Sequence, residues 1–507
     1  MRREEIGKIY VNESFLAAMV ILIAFSLRVL HVIFTSKLNP LAGDLTLDAL
    51  IYDRWAKALV WGGDAGPTQM MQAPLFPWFV SLVYRLFGPS LTAVRFAHAL
   101  LGTAACGLVT VTSRRFFRSS LAGILAGLAA ALYLPSIFFE GVLVPATLIL
   151  FLNALLVFVL VPESGPPSAA RRVLAGLVLG LSVAANPSGL LIVPFVFVHI
   201  ALFRRAAPRA FLRNSVLFLA GLLAALTPLA VRNHRLSGEF TPLTSGGGIN
   251  FYIGSNPEAN GFYNVPSYKG ESLGGTPEKQ LERMNLTASR ETGRELGPSG
   301  VSSFWLRKGI RYGVENPGRW FYLLRQKAVF FWNSYERANV ENLYFHRTFG
   351  GILALPLLTF GIVAPLCLLG IFMSRERRAN LWLLYGGIAS CFFSALLFYV
   401  LARYRLPMMA FVFPFAGAAL AALLKLLRDR RHLELALMIA ALLLIARLVN
   451  TTVARDTAGG MAGNYARLGL TYNGRGEREK AVEAFREALR LDPSNAAAKE
   501  GLRILEK

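Results

Sequence analysis

Runs of apolar residues near the ~20 residues that a membrane-spanning helix requires recur along the whole chain. Eleven stretches qualify: 14–34, 92–113, 119–137, 142–161, 173–187, 189–203, 214–231, 349–373, 380–401, 407–424 and 433–450. Pro or Gly interrupts the shorter ones (119–137, 173–187, 189–203). Three polar segments separate or follow these runs: a loop over 35–91, an insert over 232–347 and a tail after 450. The pattern predicts an all-α, multispanning membrane protein of about 11 transmembrane helices with an insert on one side.

Charge placement gives this arrangement an orientation. The chain has 507 residues and a formal net charge of +23, yet only 16% are charged. With the N-terminus cytoplasmic, the inner loops collect Arg2, Arg3 and Lys8, Arg114/Arg115/Arg118, Arg171/Arg172, Arg204/Arg205/Arg209/Arg213, Arg375/Arg377/Arg378 and Lys425/Arg428/Arg430/Arg431. Only Glu4, Glu5, Glu163, Glu376 and Asp429 oppose them, as the positive-inside rule requires. Insert and tail then lie outside, and the first span, lacking a small-residue cleavage site, reads as a signal anchor. The basic clusters are short and carry no interleaved aromatics suited to stacking bases, which speaks against nucleic acid. Cys106, Cys367 and Cys391 sit in apolar stretches and read as small buried hydrophobes.

The insert opens with a Gly-, Asn- and Pro-rich stretch (241–266) that reads as turns and loops, followed by helical patterning over 304–334. In the tail, 462–495 fit the 34-residue tetratricopeptide pattern: Tyr465, Leu468, Gly469, Tyr472, Ala481, Phe485, Ala488 and Pro493 fill its positions. A single repeat with a final helix (461–507 in all) has faces to bury, so it should dock on this chain, a second copy or a protein partner. The domains expected are thus 1–231, 232–347, 348–450 and 461–507.

Candidate chemistry concentrates in the first outer loop. Asp44, Asp48 and Asp53 lie just beyond the first span. A helix from Asp48 onward would put Asp48, Tyr52 and Trp55 on one face and turn Asp53 away. Gln72-Ala73-Pro74-Leu75-Phe76-Pro77-Trp78 starts an amphipathic segment along the membrane surface. Five arginines fall in or at the edges of spans: Arg28, Arg95, Arg403, Arg405 and Arg447. The histidines show no metal-ligand spacing, so His31 and His98 read as core residues. No cofactor is implied, although Asp44, Asp48 and Asp53 could together hold a divalent metal ion. Gly246–Gly248 lacks a following Lys-Ser/Thr and is no P-loop.

Asp48 with Tyr52, then Trp55-Ala56, Gly63-Asp64, Pro74-Leu75-Phe76-Pro77 and Leu86-Phe87-Gly88, resemble the first periplasmic loop of the dolichyl-phosphate-mannose–protein mannosyltransferase family and its aminoarabinose transferase relatives. The stretches 232–240, 248–254 and Arg403-Tyr404-Arg405-Leu406-Pro407 are similar to bacterial members with tetratricopeptide tails. The resemblance implies a C-type glycosyltransferase fold and an outward-facing active site that moves a sugar from a polyprenyl phosphate to a protein, lipid or glycan acceptor, with inversion. It implies Asp48 as general base, Asp44 as alternative base or sugar ligand, and Tyr52, Gln72 and Glu140 as substrate contacts. Glu140 is the nearest carboxylate to the place where relatives carry a second acid; Ala146 and Thr147 occupy that place here. Arg403, Tyr404 and Arg405, and less directly Arg95, would meet the carrier phosphate. The family variant suggests a bacterial inner membrane. Two other functions remain open: a glycolipid transporter or flippase, and a noncatalytic assembly protein acting through its tail.

Overall fold

The structure, a computed structural model, describes residues 13–66, 70–202, 207–374, 378–452 and 457–506. Arg2, Arg3, Glu4, Glu5, Lys8, Arg204, Arg205, Arg375, Glu376 and Arg377 of the charge pattern lie outside the described residues. Helix dominates. The first half contains α1 (Glu13–Leu38), α2 (Leu47–Trp61), α3 (Leu75–Phe87), α4 (Leu91–Phe117), α5 (Ser120–Ala131), α6 (Leu134–Glu140), α7 (Ala146–Leu160), α8 (Ala169–Ala185), α9 (Val193–Leu202) and α10 (Pro208–Ser237). The insert holds α11 (Gly247–Gly254), α12 (Pro277–Thr292), α13 (Pro298–Glu315), α14 (Pro317–Trp332) and the single turn α15 (Leu343–His346). Then come α16 (Phe360–Met373), α17 (Arg378–Leu397), the turn α18 (Ala402–Arg405), α19 (Met409–Arg428) and α20 (His432–Val449). The tail forms α21 (Thr457–Gly474), α22 (Arg478–Leu491) and α23 (Ala496–Leu505).

Every apolar stretch read from the sequence contains helix, although 349–373 is α-helical only from Phe360. Among the described residues five helices are long and apolar enough to cross a membrane: α1, α4, α10, Ala402–Arg428 (α18, a 3-10 turn and α19) and α20. The remaining apolar stretches form shorter helices, such as Ser120–Ala131, Ala146–Leu160 and Pro187–Leu202. Local chemistry explains the breaks. Ser90, Ser119 and Ser168 accept backbone N–H bonds at the starts of α4, α5 and α8. Left-handed Arg118 separates α4 from α5, and Asn186-Pro187 ends α8.

The core forms where α4 packs on α1, α5 and α7, α8 on α7 and α10, and α19 on α5 and α16. Close approach depends on small residues: a Cβ at Gly176 would strike the Phe218 carbonyl of α10, and one at Gly221 the Val173 carbonyl of α8.

Two ends of the helical body differ in composition. At one end Arg114 pairs with Glu163 at 2.9 Å, and Arg115 and Arg171 donate to main-chain carbonyls at 158–161. At the other, the first outer loop, the insert and the tail meet: Ser245 N donates to Met70 O, Arg54 reaches Glu278 and Arg467 reaches Asp44.

The insert departs from expectation at its start. Instead of turns alone, 247–254 form α11, which lies against α13; a Cβ at Gly248 would collide with the Ser302 carbonyl. The glycines there serve close packing as well as turns. The helical patterning farther on divides at Asn316-Pro317 into α13 and α14. In the tail, the ring of Phe485 fills the space that Gly469 of α21 and Gly501 of α23 leave open.

Candidate functional site

A cavity of about 330 Å³ opens between the first outer loop, the insert and α7, α8, α17 and α18. Asp48, Tyr52, Gln72, Arg403, Tyr404 and Arg405 all line it. Residues far apart in sequence therefore converge there.

Asp48 stands in the first turn of α2, directly after Leu47, whose φ of 49° is left-handed. Its Oδ2 lies 2.6 Å from Arg403 Nη2, and Gln72 Nε2 donates to Oδ1 at 3.2 Å. Arg403 also lies over the Tyr404 ring, 5.1 Å from its centroid. Two polar atoms of this group, Arg403 Nε and Gln72 Oε1, are buried and make no hydrogen bond among the described residues. They give the wall one free donor and one free acceptor beside the Asp48–Arg403 pair. Tyr52, one turn along α2, packs edge-on against Phe76 at 5.1 Å. Burial and the neighbouring Asp48 push its phenol pKa up, so the hydroxyl stays protonated.

The insert, together with Tyr399 between α17 and α18, supplies a wall that sequence reasoning missed. Tyr263 donates to Gln280 Oε1 at 2.7 Å, and Tyr399 donates to Asn250 Oδ1 at 2.8 Å. The Tyr263 and Tyr399 rings meet edge to face at 5.1 Å, and all four residues line the cavity. Burial raises the Tyr263 pKa to about 12. Isolated Tyr, Asn and Gln in a turn-rich insert carry no spacing signal, so only the fold brings them to notice.

Arg405 has a different environment although only Tyr404 separates it from Arg403. It is almost wholly buried, pairs with Glu336 at 2.6 Å and donates to the carbonyls of Phe331, Asn333 and Tyr335. Its guanidinium lies over the Phe360 ring. Both terminal nitrogens are thus committed to protein, and burial raises the Glu336 pKa against the pull of Arg405.

The remaining expected site residues lie elsewhere. Glu140 is buried, accepts from Arg28 Nε at 3.0 Å and from Ser136 at 3.2 Å, and lines neither cavity described here. A Cβ at Gly102 would clash with it, so α4 is notched to admit this pair. Arg95 donates to the main-chain carbonyls of Gly141 and Ala42. It lines a second, smaller cavity of about 40 Å³ with His31, Asp44, Glu341 and His346. Asp44 pairs with Arg467 of the tail at 2.6 Å. Asp53 turns away as expected, accepting from Tyr84 at 2.7 Å and Lys57 at 2.8 Å. The three carboxylates considered for a shared metal ion therefore face three separate sets of partners. His98 stacks on Phe76 and Phe79, a core position. Cys106 and Cys367 are buried, and Cys391 touches the main cavity.

Fold and site together describe an integral membrane protein with a large cavity, lined by polar and apolar side chains, at one end of its helices. In sequence, residues 71–232 match the family described as dolichyl-phosphate-mannose-protein mannosyltransferase. The resemblance to membrane glycosyltransferases is borne out over that stretch, which includes Gln72 and Arg95. No curated protein matches the chain. Among solved structures, the chain is similar to the apo oligosaccharyltransferase of Archaeoglobus fulgidus (13% identity, TM-score 0.48, 90% of this chain and 58% of that one). It is also similar to apo ArnT from Cupriavidus metallidurans (16%, 0.36, 90% and 80%) and to the S. cerevisiae protein O-mannosyltransferase Pmt1-Pmt2 complex bound to the sugar donor (17%, 0.35, 52% and 38%). The chain spans 58% of the length of the archaeal oligosaccharyltransferase.

Proposed function

We propose that the chain is a membrane glycosyltransferase that moves a sugar from a polyprenyl phosphate to an acceptor hydroxyl, with Asp48 as general base and Arg403 at the carrier phosphate. The observation that carries this reading is the Asp48–Arg403 pair at the wall of the 330 Å³ cavity, steadied by Gln72 from the family-matched stretch.

Displacement at the anomeric carbon asks for two things. The acceptor hydroxyl must lose its proton as its oxygen bonds to carbon, and a carboxylate at Asp48 can take it. The bond to the phosphate oxygen breaks with its electron pair leaving on the phosphate, whose charge a guanidinium can match. Attack opposite the phosphate inverts the anomeric configuration. Nε is unpartnered in both arginines among the described residues, but Arg403 is suited to the cationic role because its bonds there run from Nη2 alone, to Asp48 and Tyr404. Arg405, spent on Glu336 and three carbonyls, is better suited to holding Arg403 and the 331–336 segment in register. Tyr52, Tyr263 and Gln280 offer hydroxyl and amide contacts to a sugar. Arg95 and Glu140 fall outside the reacting group in this reading, and Asp44 belongs to the tail contact.

Orientation follows the charge pattern: the cavity, insert and tail lie outside, with the Arg114–Arg171 end in the cytoplasm of a bacterial inner membrane. Protein, lipid and glycan acceptors all offer the hydroxyl this chemistry needs.

The test compares wild type with Asp48→Asn in membranes supplied with a panel of polyprenyl-phosphate sugars, measuring sugar transfer and folded yield. Transfer lost at normal yield supports the base; unchanged transfer removes it. A wild type inert toward the whole panel, yet moving intact glycolipid between leaflets, would favour the transporter.

A further inference from the structure

The tail docks on this chain, and the place where it docks is the turn that leads into Asp48. Arg467 of α21 makes three bonds there: Nε to the Asp44 carboxylate at 2.6 Å, Nη2 to the Asp44 carbonyl at 2.5 Å, and Nη1 to Glu341 at 3.0 Å. Arg475 donates to the Pro40 carbonyl at 2.5 Å. Leu41, 3% exposed, packs with Phe345, Leu468 and Ala484, and Tyr465 meets the Phe345 ring edge to face at 5.1 Å. From below, Arg95 grips the Ala42 carbonyl of the same turn.

The turn is short and its exit is strained. Three residues separate Asp44 from Asp48, and Leu47 among them is left-handed without being glycine. Thr46 at the start of α2 makes no side-chain cap bond. Such backbone persists where its surroundings over-determine it. Here Arg467 supplies that determination, because one planar fork binds both the side chain and the main chain of Asp44.

We propose that Arg467 is a positioning residue of the transfer site, and that the C-terminal hairpin is an intramolecular clamp. By fixing Asp44 it sets where Asp48 meets Arg403 and the cavity. This rests on the reading of Asp48 as the base. The hairpin is thereby part of the enzyme's working structure, and its outward face need not carry a partner for the tail to matter.

The experiment uses the full chain in lipid nanodiscs, as wild type, Arg467→Ala, Arg467→Lys and the control Arg503→Ala, whose guanidinium pairs with exposed Glu500. Hydrogen exchange is followed over 41–52 and over the tail core at 481–488. Arg467→Ala should raise exchange over 41–52 by about tenfold, as a local opening does, while 481–488 and the control stay unchanged. Donor turnover should fall by about ten- to a hundredfold, the size expected when a reacting group shifts by ~1 Å. Binding of dolichyl phosphate, the probe for the phosphate site, should stay within about twofold, since Arg403 is untouched. Arg467→Lys, a point charge without the fork, should fall between the two, and it carries the test if the alanine variant does not fold. Unchanged exchange over 41–52 overturns the clamp. Loosened exchange with full turnover overturns the positioning role. Should wild type consume no donor while exchange responds as stated, the clamp stands and the reading of Asp48 falls.

Discussion

Asp44 and Asp48 lie four residues apart, and each holds an arginine at 2.6 Å. Their surroundings make them different. Asp44 meets Arg467 at a contact between tail and loop, where the same guanidinium also serves Glu341 and a main-chain carbonyl. Asp48 meets Arg403 on a cavity wall, where Arg403 Nε is buried without a partner among the described residues. A carboxylate–arginine pair is thus no signature of function by itself. What separates a fastening from a reaction centre is whether the donors are spent and whether a substrate-sized space adjoins them.

The largest expected effect probes that contrast directly. Asp48→Asn should lower sugar transfer by about 10²- to 10⁴-fold, the usual worth of a general base. Asp44→Asn, which keeps the acceptor oxygen facing Arg467, should lower it far less. Rates for both variants at matched folded yield decide the matter; equal losses would erase the distinction between the two pairs.

Next come the two neighbouring arginines. Arg405→Ala leaves Glu336 buried without its cation, and breaking such a pair costs about 3–5 kcal/mol. Its thermal midpoint should drop sharply. Arg403→Ala should leave the midpoint nearer wild type and weaken dolichyl phosphate binding by about 2 kcal/mol, the range of a hydrogen bond to a charged group. Calorimetry and binding on the two variants should give opposite rankings.

Smaller effects come with pH. In Glu341, burial opposes the charge, but His346 and Arg467 outweigh it and hold its pKa below 4.5. An acid depressed in the folded state stabilises above its unfolded pKa and loses that contribution as pH falls through the folded one. The midpoint advantage of wild type over Glu341→Gln should therefore hold at pH 6 and shrink below about pH 4.5. Lys327 gives a slope of the same sign at higher pH, through a cost of burial rather than a gained partner. Burial lowers its pKa from 10.5 to about 7, and its Nζ donates to the Gly254 and Leu396 carbonyls. Between those values the unfolded chain binds the proton and the folded one does not, so stability should rise with pH from 7 toward 10.5. Lys327→Met should flatten that slope in thermal melts.

Much of this molecule can be read from its residues because the bilayer imposes a crude requirement of length and apolarity on helices. All eleven apolar stretches contain helix, though Leu132-Tyr133, Asn186-Pro187 and the non-helical 355–359 cut some shorter than a membrane crossing. Asp48, Tyr52, Gln72 and Arg403 line one cavity, as the loop and the Arg-Tyr-Arg motif suggested. The limits lie in pairing. Nothing in Arg-Tyr-Arg tells which arginine will be spent: alternate positions in a short helical turn face different neighbours, and Glu336 lies 69 residues upstream of Arg405. Glu140 looked available because its partner, Arg28, is 112 residues away. The tail's signature positions point to a hairpin with faces to bury, but Arg467 is outside that signature, and its partners lie more than a hundred residues off. Long-range ion pairs leave no local periodicity to read.

The most direct test of the account labels the site with its own ligand. A dolichyl phosphate bearing a photoreactive group beside the phosphate, activated in membranes holding the full chain, should leave adducts on peptides covering 398–407 and 48–52. Arg403→Ala should weaken that labelling. Adducts confined to 39–46 or 462–475, on the Asp44–Arg467 side, would contradict it.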